Sequence, residues 1–86
     1  MSDIEMEWED QDLDVGGLEP PEPMVLILEA LDRLAPRQRL RVLIDREPHP
    51  LYRVLERNGY AHSISSRADY RFELLIWDPQ QAAPSA

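Results

Sequence analysis

The sequence predicts an α+β fold, a two-layer sandwich in which a mixed four-stranded sheet carries two helices on one face. Three observations predict it. Four short strand-like segments and two segments with helical spacing follow one another as strand, helix, strand, helix, strand, strand. A proline-rich turn precedes each helical segment. A helix joins the first two strands, which are therefore parallel, whereas the last two are close enough to form an antiparallel hairpin.

The first half of the domain is predicted to contain a strand, a helix and a second strand. The first strand is Leu13-Asp14-Val15, and two glycines follow it. The helix begins at Pro23, because the fixed φ of proline suits the first helical turn, and it ends before Pro36. Its apolar stripe consists of Met24, Ile27, Leu28, Leu31 and Leu34. The second strand, residues 39–45, directs Leu40, Val42 and Ile44 to the helices.

The second half is predicted to contain a helix and a hairpin. Pro48-His49-Pro50 opens the helix, and Asn58-Gly59 ends it, since glycine takes the left-handed conformation without a Cβ penalty. The inner stripe of this helix is Leu51, Val54 and Leu55. Residues 60–65 and 70–77 are strands around the turn at residues 66–69. The core face of the last strand is expected to carry Tyr70, Phe72, Leu74 and Ile76.

Length and charge predict one domain with two tails. The chain has 86 residues, and residues 1–22 contain nine acidic side chains and no basic one. We expect residues 1–12 to form a disordered acidic tail, residues 13–78 the domain, and residues 79–86 a second disordered tail. No segment reaches the roughly 20 apolar residues of a membrane span, and the acidic start differs from a signal peptide. A cytoplasmic protein without a membrane partner is therefore expected.

The two proline turns are the first candidate site. Both follow the carboxyl ends of predicted parallel strands, where open α/β sheets usually bind ligands. The candidate ligand-binding residues gathered there are Asp45, Arg46, Glu47, His49, Glu19 and Glu22. Capping of the first helix is the alternative role of Glu19 and Glu22, whereas an anion near Arg46 and His49 remains open.

The same residues predict neither a metal site nor catalysis. One histidine among carboxylates matches stable zinc or copper sites poorly, so no metal is predicted. The chain contains no cysteine, and nothing in the sequence fixes a nucleophile or an acid–base pair. A non-enzymatic protein without a cofactor is therefore expected.

The sheet face away from the helices is the second candidate site. Its predicted residues are Arg39, Arg41, Leu43, Arg71, Leu75 and Trp77. Arginine and tryptophan are common at interface hot spots, so this face predicts binding of another protein. A partly exposed face with scattered apolar residues is the alternative. Nucleic acid is not an expected partner, because the net charge is −8. The oligomeric state is not indicated.

The proline motifs also carry a family resemblance. Gly17-Leu18-Glu19-Pro20-Pro21-Glu22-Pro23 resembles the Gly-Leu-x-Cys-Pro-x-Pro signature of the TusA/SirA-like sulfur carriers, with Pro20 at the position of the persulfide cysteine. Together with residues 43–52, it resembles the DUF2249 family, a cysteine-free relative of TusA. That resemblance implies a TusA-like β-α-β-α-β-β sandwich. It also implies an accessory or protein-interaction module or, alternatively, a small-ligand or metal-handling domain in redox or nitrogen-oxide metabolism. Arg46 stands where many relatives have histidine.

Overall fold

The predicted order of strands and helices is confirmed. The computed structural model describes the backbone of residues 8–82 and the side chains of residues 8–80. Its elements are β1 (Glu9–Asp14), α1 (Glu22–Asp32), β2 (Gln38–Ile44), α2 (His49–Arg57), β3 (Ala61–Ser66), β4 (Phe72–Trp77) and α3 (Pro79–Ala82). The four strands form one sheet in the order β1-β2-β4-β3. β1 and β2 are parallel, and β4 is antiparallel to both β2 and β3. The α+β class with a mixed four-stranded sheet therefore holds.

The core lies between this sheet and the two long helices. Alternate residues of β2 and β4 face the helices because successive side chains of a strand point to opposite faces. The buried core residues are Val15, Ile27, Leu31, Leu40, Val42, Ile44, Leu51, Leu55, Leu74 and Ile76. Phe72 is half-buried against this cluster. The assignment of Tyr70 to the core is wrong: its side chain is 93% exposed, because β4 begins at Phe72 and Tyr70 lies in the preceding turn.

Both long helices begin at proline turns, as their sequences predict. α1 begins at Glu22 and has Pro23 in its first turn, whereas α2 begins at His49 and has Pro50 there. The predicted stop of α2 is also confirmed, because Gly59 follows the helix with a φ of 82°. That left-handed conformation costs glycine little and most other residues more.

The first strand begins earlier than the sequence predicts. β1 starts at Glu9 and pairs with β2 from Glu9 opposite Gln38 to Asp14 opposite Leu43. Residues 9–12 therefore belong to the sheet and not to a disordered tail. Composition alone misses residues 9–12, because the acidic side chains of Asp10 and Asp12 lie beside arginines of β2 that neutralise them. In the second predicted tail, residues 79–82 form α3. The remaining tail residues, 1–7 and 83–86, lie outside the described residues.

The helices of this fold are short. None of those in residues 8–82 has the length and apolar character needed to cross a lipid bilayer.

Candidate functional site

A cleft lies where the two proline turns meet, at the carboxyl ends of the parallel strands β1 and β2. Its volume is about 650 Å³, which is within the range of ligand pockets. The lining residues are Val15, Gly17, Leu18, Glu19, Pro20, Pro21, Pro23, Met24, Ile27, Ile44, Asp45, Arg46, Glu47, Pro48, Pro50 and Leu51. We call this feature the proline-walled cleft. Its floor is continuous with the core, because Val15, Ile27, Ile44 and Leu51 are all buried.

The walls of the cleft offer few hydrogen-bond donors. Five of the lining residues are prolines, which have no backbone N–H and a fixed φ. At the start of α1, the N–H groups of Glu22 and Val25 donate to the carbonyls of Glu19 and Pro21. At the start of α2, those of His49 and Leu51 donate to the carbonyls of Glu47 and Pro48. Anions bind at helix starts through free N–H groups, and these four N–H groups are not free.

A set of polar contacts, which we call the strand-end brace, holds the loop after β1. The Gly17 N–H donates to Asp45 Oδ2 at 2.7 Å, which joins this loop to the end of β2. Asp45 Oδ1 lies 3.2 Å from Arg71 Nε. Arg71 Nη2 in turn donates to Asp14 Oδ1 at 2.5 Å, and Asp14 Oδ1 also accepts the Gly16 N–H at 2.9 Å. The brace therefore connects the ends of β1 and β2 to the residue before β4.

The brace explains the two consecutive glycines. A Cβ atom at Gly16 would collide with the guanidinium of Arg71. Gly17 has a φ of 81°, in the left-handed region that favours glycine. The hydrogen bond from the Gly16 N–H, followed by that from Arg71, lowers the pKa of Asp14 below its usual 3.8. Asp14 therefore remains a carboxylate over the physiological pH range.

Glu47 links the cleft to a cluster of rings beside α2. Tyr52 Oη donates to Glu47 Oε2 at 3.0 Å, and His49 Nε2 lies 3.7 Å from Glu47 Oε1. The ring of Tyr52 stacks on His62, with centroids 4.5 Å apart and planes 6° apart. Burial, then the hydrogen bond and charge of Glu47, raise the pKa of Tyr52 to about 12. The Glu47 carboxylate is therefore already the acceptor of a hydrogen bond from Tyr52.

The structure brings together part of the predicted ligand-binding set. Glu19, Asp45, Arg46 and Glu47 line the cleft, whereas Glu22 and His49 do not. The side chain of His49 is 74% exposed and points to the Tyr52 cluster. Of the four lining residues, Asp45 and Glu47 already have protein partners. Sequence reasoning missed the apolar walls, whose signal was the pair of Pro-x-Pro runs that it interpreted as helix starts alone.

The acidic residues do not form a metal site in the described part of the chain. Among residues 8–80, no group of three or more histidine, aspartate or glutamate side chains is placed to hold a metal ion. The carboxylates at the cleft accept hydrogen bonds from the Gly17 N–H and the Tyr52 hydroxyl instead.

We call the sheet face away from the helices the open sheet face. Its arginines form ion pairs with aspartates of the neighbouring strand. Both nitrogens of the Arg39 fork donate to Asp10, at 2.8 and 3.2 Å. Arg41 donates to Asp12 in the same way, at 2.7 and 3.2 Å. The hydrogen bond from Arg41 lowers the pKa of Asp12. Arg71 belongs to the strand-end brace. The three remaining residues of the predicted partner face, Leu43, Leu75 and Trp77, are half-buried.

Fold and cleft together define a small two-layer α+β domain with an apolar cleft at the carboxyl ends of its parallel strands. The family model described as "Uncharacterized conserved protein (DUF2249)" matches residues 12–78. The chain belongs to this family. Neither the curated proteins nor the solved structures that were compared with the chain gave a match.

Proposed function

We propose that this chain is a non-enzymatic protein-interaction module that holds an apolar segment of a partner protein in the proline-walled cleft. The observation that carries the proposal is the composition of the cleft: buried aliphatic residues form its floor and five prolines form its walls. An apolar side chain gains most from such a surface, because the rigid walls lose little entropy when they are covered.

Two further observations support a role without catalysis. Pro20 occupies the position that a persulfide cysteine has in the TusA/SirA-like signature, and proline has no nucleophilic or ionisable group. The cleft carboxylates Asp45 and Glu47 accept hydrogen bonds from Gly17 and Tyr52. They therefore act as structural acceptors in this proposal. A TusA-like ancestry is part of it, supported by the shared order of elements and the proline run.

The choice of the cleft over the open sheet face follows from charge. On the open face, Arg39 and Arg41 are each held by an aspartate of β1. A partner would have to displace or match both charges of each pair, and this costs desolvation energy. In the cleft, a partner can cover the exposed part of the Leu18 side chain, which has no polar atoms to desolvate.

Matched substitutions test the proposal. Leu18 lines the cleft and is 37% exposed, whereas Val25 lies on the outer side of α1 and is 46% exposed. A partner captured by the tagged wild-type protein would be purified and titrated against Leu18→Asp and Val25→Asp variants. Loss of the Leu18 side chain, which the partner would cover, should weaken binding by about 10-fold or more, and the Val25 variant should bind as the wild type does. Equal binding by Leu18→Asp would contradict the proposal.

A small apolar ligand is the second candidate, and the volume of the cleft favours it. A space of about 650 Å³ accommodates a drug-sized molecule. Amide chemical shifts recorded with small probes such as indole would decide it. Shifts around Leu18 and Ile44, with no protein captured by the tagged chain, would favour this candidate. Metal handling, the other part of the alternative, has no ligand cluster among residues 8–80.

A further inference from the structure

The two edges of the sheet differ in how they are protected. β1 forms one edge, and four of its six residues are acidic. β3 forms the other edge, and its sequence Ala-His-Ser-Ile-Ser-Ser contains no aspartate, glutamate, lysine, arginine or proline. Natural edge strands are usually guarded by charges, prolines or bulges, because their free N–H and C=O groups can pair with another strand. β1 has such charged side chains, and β3 has no aspartate, glutamate, lysine, arginine or proline.

β3 is also regular enough to accept a further strand. It pairs with β4 without a bulge, from Ala61 opposite Trp77 to Ser66 opposite Phe72. On its helix side, Ile64 is half-buried and His62 is held by its stack on Tyr52. On the open side, Ser63 and Ser65 are exposed. A strand added here would find Ser63 and Ser65 on one face and His62 and Ile64 on the other.

We infer that β3 pairs with β3 of a second copy of this chain, in an antiparallel arrangement that gives a two-fold symmetric dimer with one continuous eight-stranded sheet. A two-fold pair places each strand opposite itself, which is tolerated only if no like charges face each other. β3 meets that condition because it contains no acidic, lysine or arginine side chain. The second copy is therefore the occupant that the charge pattern favours, and the inference does not depend on the cleft.

The acidic edge supports the same arrangement. Of the nine acidic residues of positions 1–22, eight belong to β1, the residues before it and the loop after it, and the ninth, Glu22, begins α1. In the dimer, β1 lies three strand spacings from β3, or roughly 14 Å, which exceeds the Debye length of about 8 Å in physiological salt. Repulsion between the copies is thus screened, and the two acidic edges that remain outside prevent further growth of the sheet.

A charge-exchange experiment tests the inference. The double variants Ser63→Lys/Ser65→Lys and Ser63→Glu/Ser65→Glu place like charges across the two-fold axis, at positions where a folded monomer tolerates them. Mass measured by light scattering should approach twice the monomer mass for the wild type as its concentration rises to about 1 mM. Each double variant should stay at the monomer mass, and an equimolar mixture of the two should regain the doubled mass. Gln11→Lys, an exposed substitution on the β1 edge, is the matched control and should dimerise as the wild type does.

Two results of the mass measurement would overturn the inference. The first is a wild-type protein that keeps the monomer mass at every concentration. The second is a dimer that both double variants still form, which would place the contact elsewhere. Amide exchange of the wild type gives a check that needs no substitution. Amides of β3 should exchange more slowly with solvent in concentrated than in dilute protein. If the concentrated protein has twice the monomer mass but its β3 amides exchange at the same rate, the inference is also overturned.

Discussion

The sequence predicts binding surfaces at the proline turns, which form the proline-walled cleft, and on the open sheet face. The two surfaces differ in how their charged side chains are paired. On the open face, Arg39 and Arg41 lie opposite Asp10 and Asp12 in the neighbouring strand, so the charges form a ladder within the sheet. At the cleft, the Asp45 carboxylate holds the loop after β1, and the surface left to solvent is mostly proline and aliphatic.

A row of arginines does not by itself mark a binding face. Exposed ion pairs contribute little to stability, but each of these pairs engages two guanidinium nitrogens that a partner would otherwise use. An apolar concavity has no such internal partner, because its occupant has to come from outside. In our proposal recognition therefore takes place in the cleft, where Asp45 and Glu47 accept hydrogen bonds within the chain and Leu18 is partly exposed.

The largest expected effect comes from the floor of the cleft. Ile27→Ala removes a fully buried side chain and should lower the free energy of unfolding by about 2–5 kcal/mol. Leu75→Ala, on the open sheet face, removes a half-buried side chain and should cost about 1 kcal/mol. Urea unfolding of both variants measures the difference. Equal losses would mean that the cleft floor is not part of the core.

A truncation pair should have the next largest effect. Deletion of residues 1–12 removes four residues of β1, whereas deletion of residues 1–7 leaves that strand whole. The longer deletion loses several backbone hydrogen bonds, each worth about 1 kcal/mol, and should lower Tm by roughly 10 °C relative to the shorter one. Calorimetry of the two proteins would show it. Identical Tm values would argue that residues 9–12 contribute nothing to the sheet.

Acid should weaken the strand-end brace and the open-face pairs together. The pKa of Asp14 is lowered chiefly by the Gly16 N–H and then by Arg71, and that of Asp12 chiefly by Arg41. A lowered pKa in the folded state gives stability that is complete above the unfolded value of 3.8 and is lost as the pH falls through the folded value. Tm should therefore fall as the pH drops below about 4.

The variants Asp14→Asn and Asp12→Asn separate the two contributions. Each should reduce the acid-induced fall in Tm, and Asp14→Asn should reduce it more, because Asp14 accepts both a backbone and an arginine hydrogen bond. A profile of Tm against pH that neither variant alters would show that these aspartates do not drive the acid response.

The smallest effect is expected from charge reversal on the open sheet face. Arg41→Glu breaks the pair with Asp12 but leaves every residue of the cleft in place. Binding of the partner should change less than about twofold, because the pair is exposed and lies outside the proposed interface. Asp12→Arg combined with Arg41→Glu restores the pair and serves as the control. A large loss of binding in the single variant, recovered in the double, would instead assign recognition to the open face.

Sequence alone could predict much of this fold but only part of its site. The alternation of Leu40, Val42 and Ile44 and the stop at Gly59 are local signals, and both are confirmed. Residues 9–12 of β1 could not be recognised from their composition, since the acidic side chains of Asp10 and Asp12 are stabilised by arginines 29 positions away. The contact between Asp14 and Arg71 spans 57 positions and leaves no local pattern. The prolines were visible, but their role as opposing walls depends on how the two loops face each other.

We propose that recognition occurs in the proline-walled cleft and not on the open sheet face. A photo-cross-linking amino acid placed at Leu18, in the cleft, or at Leu75, on the open face, tests it directly against the purified partner. We expect a covalent adduct from position 18 and none from position 75. An adduct from position 75 alone would contradict the claim and move the interface to the sheet.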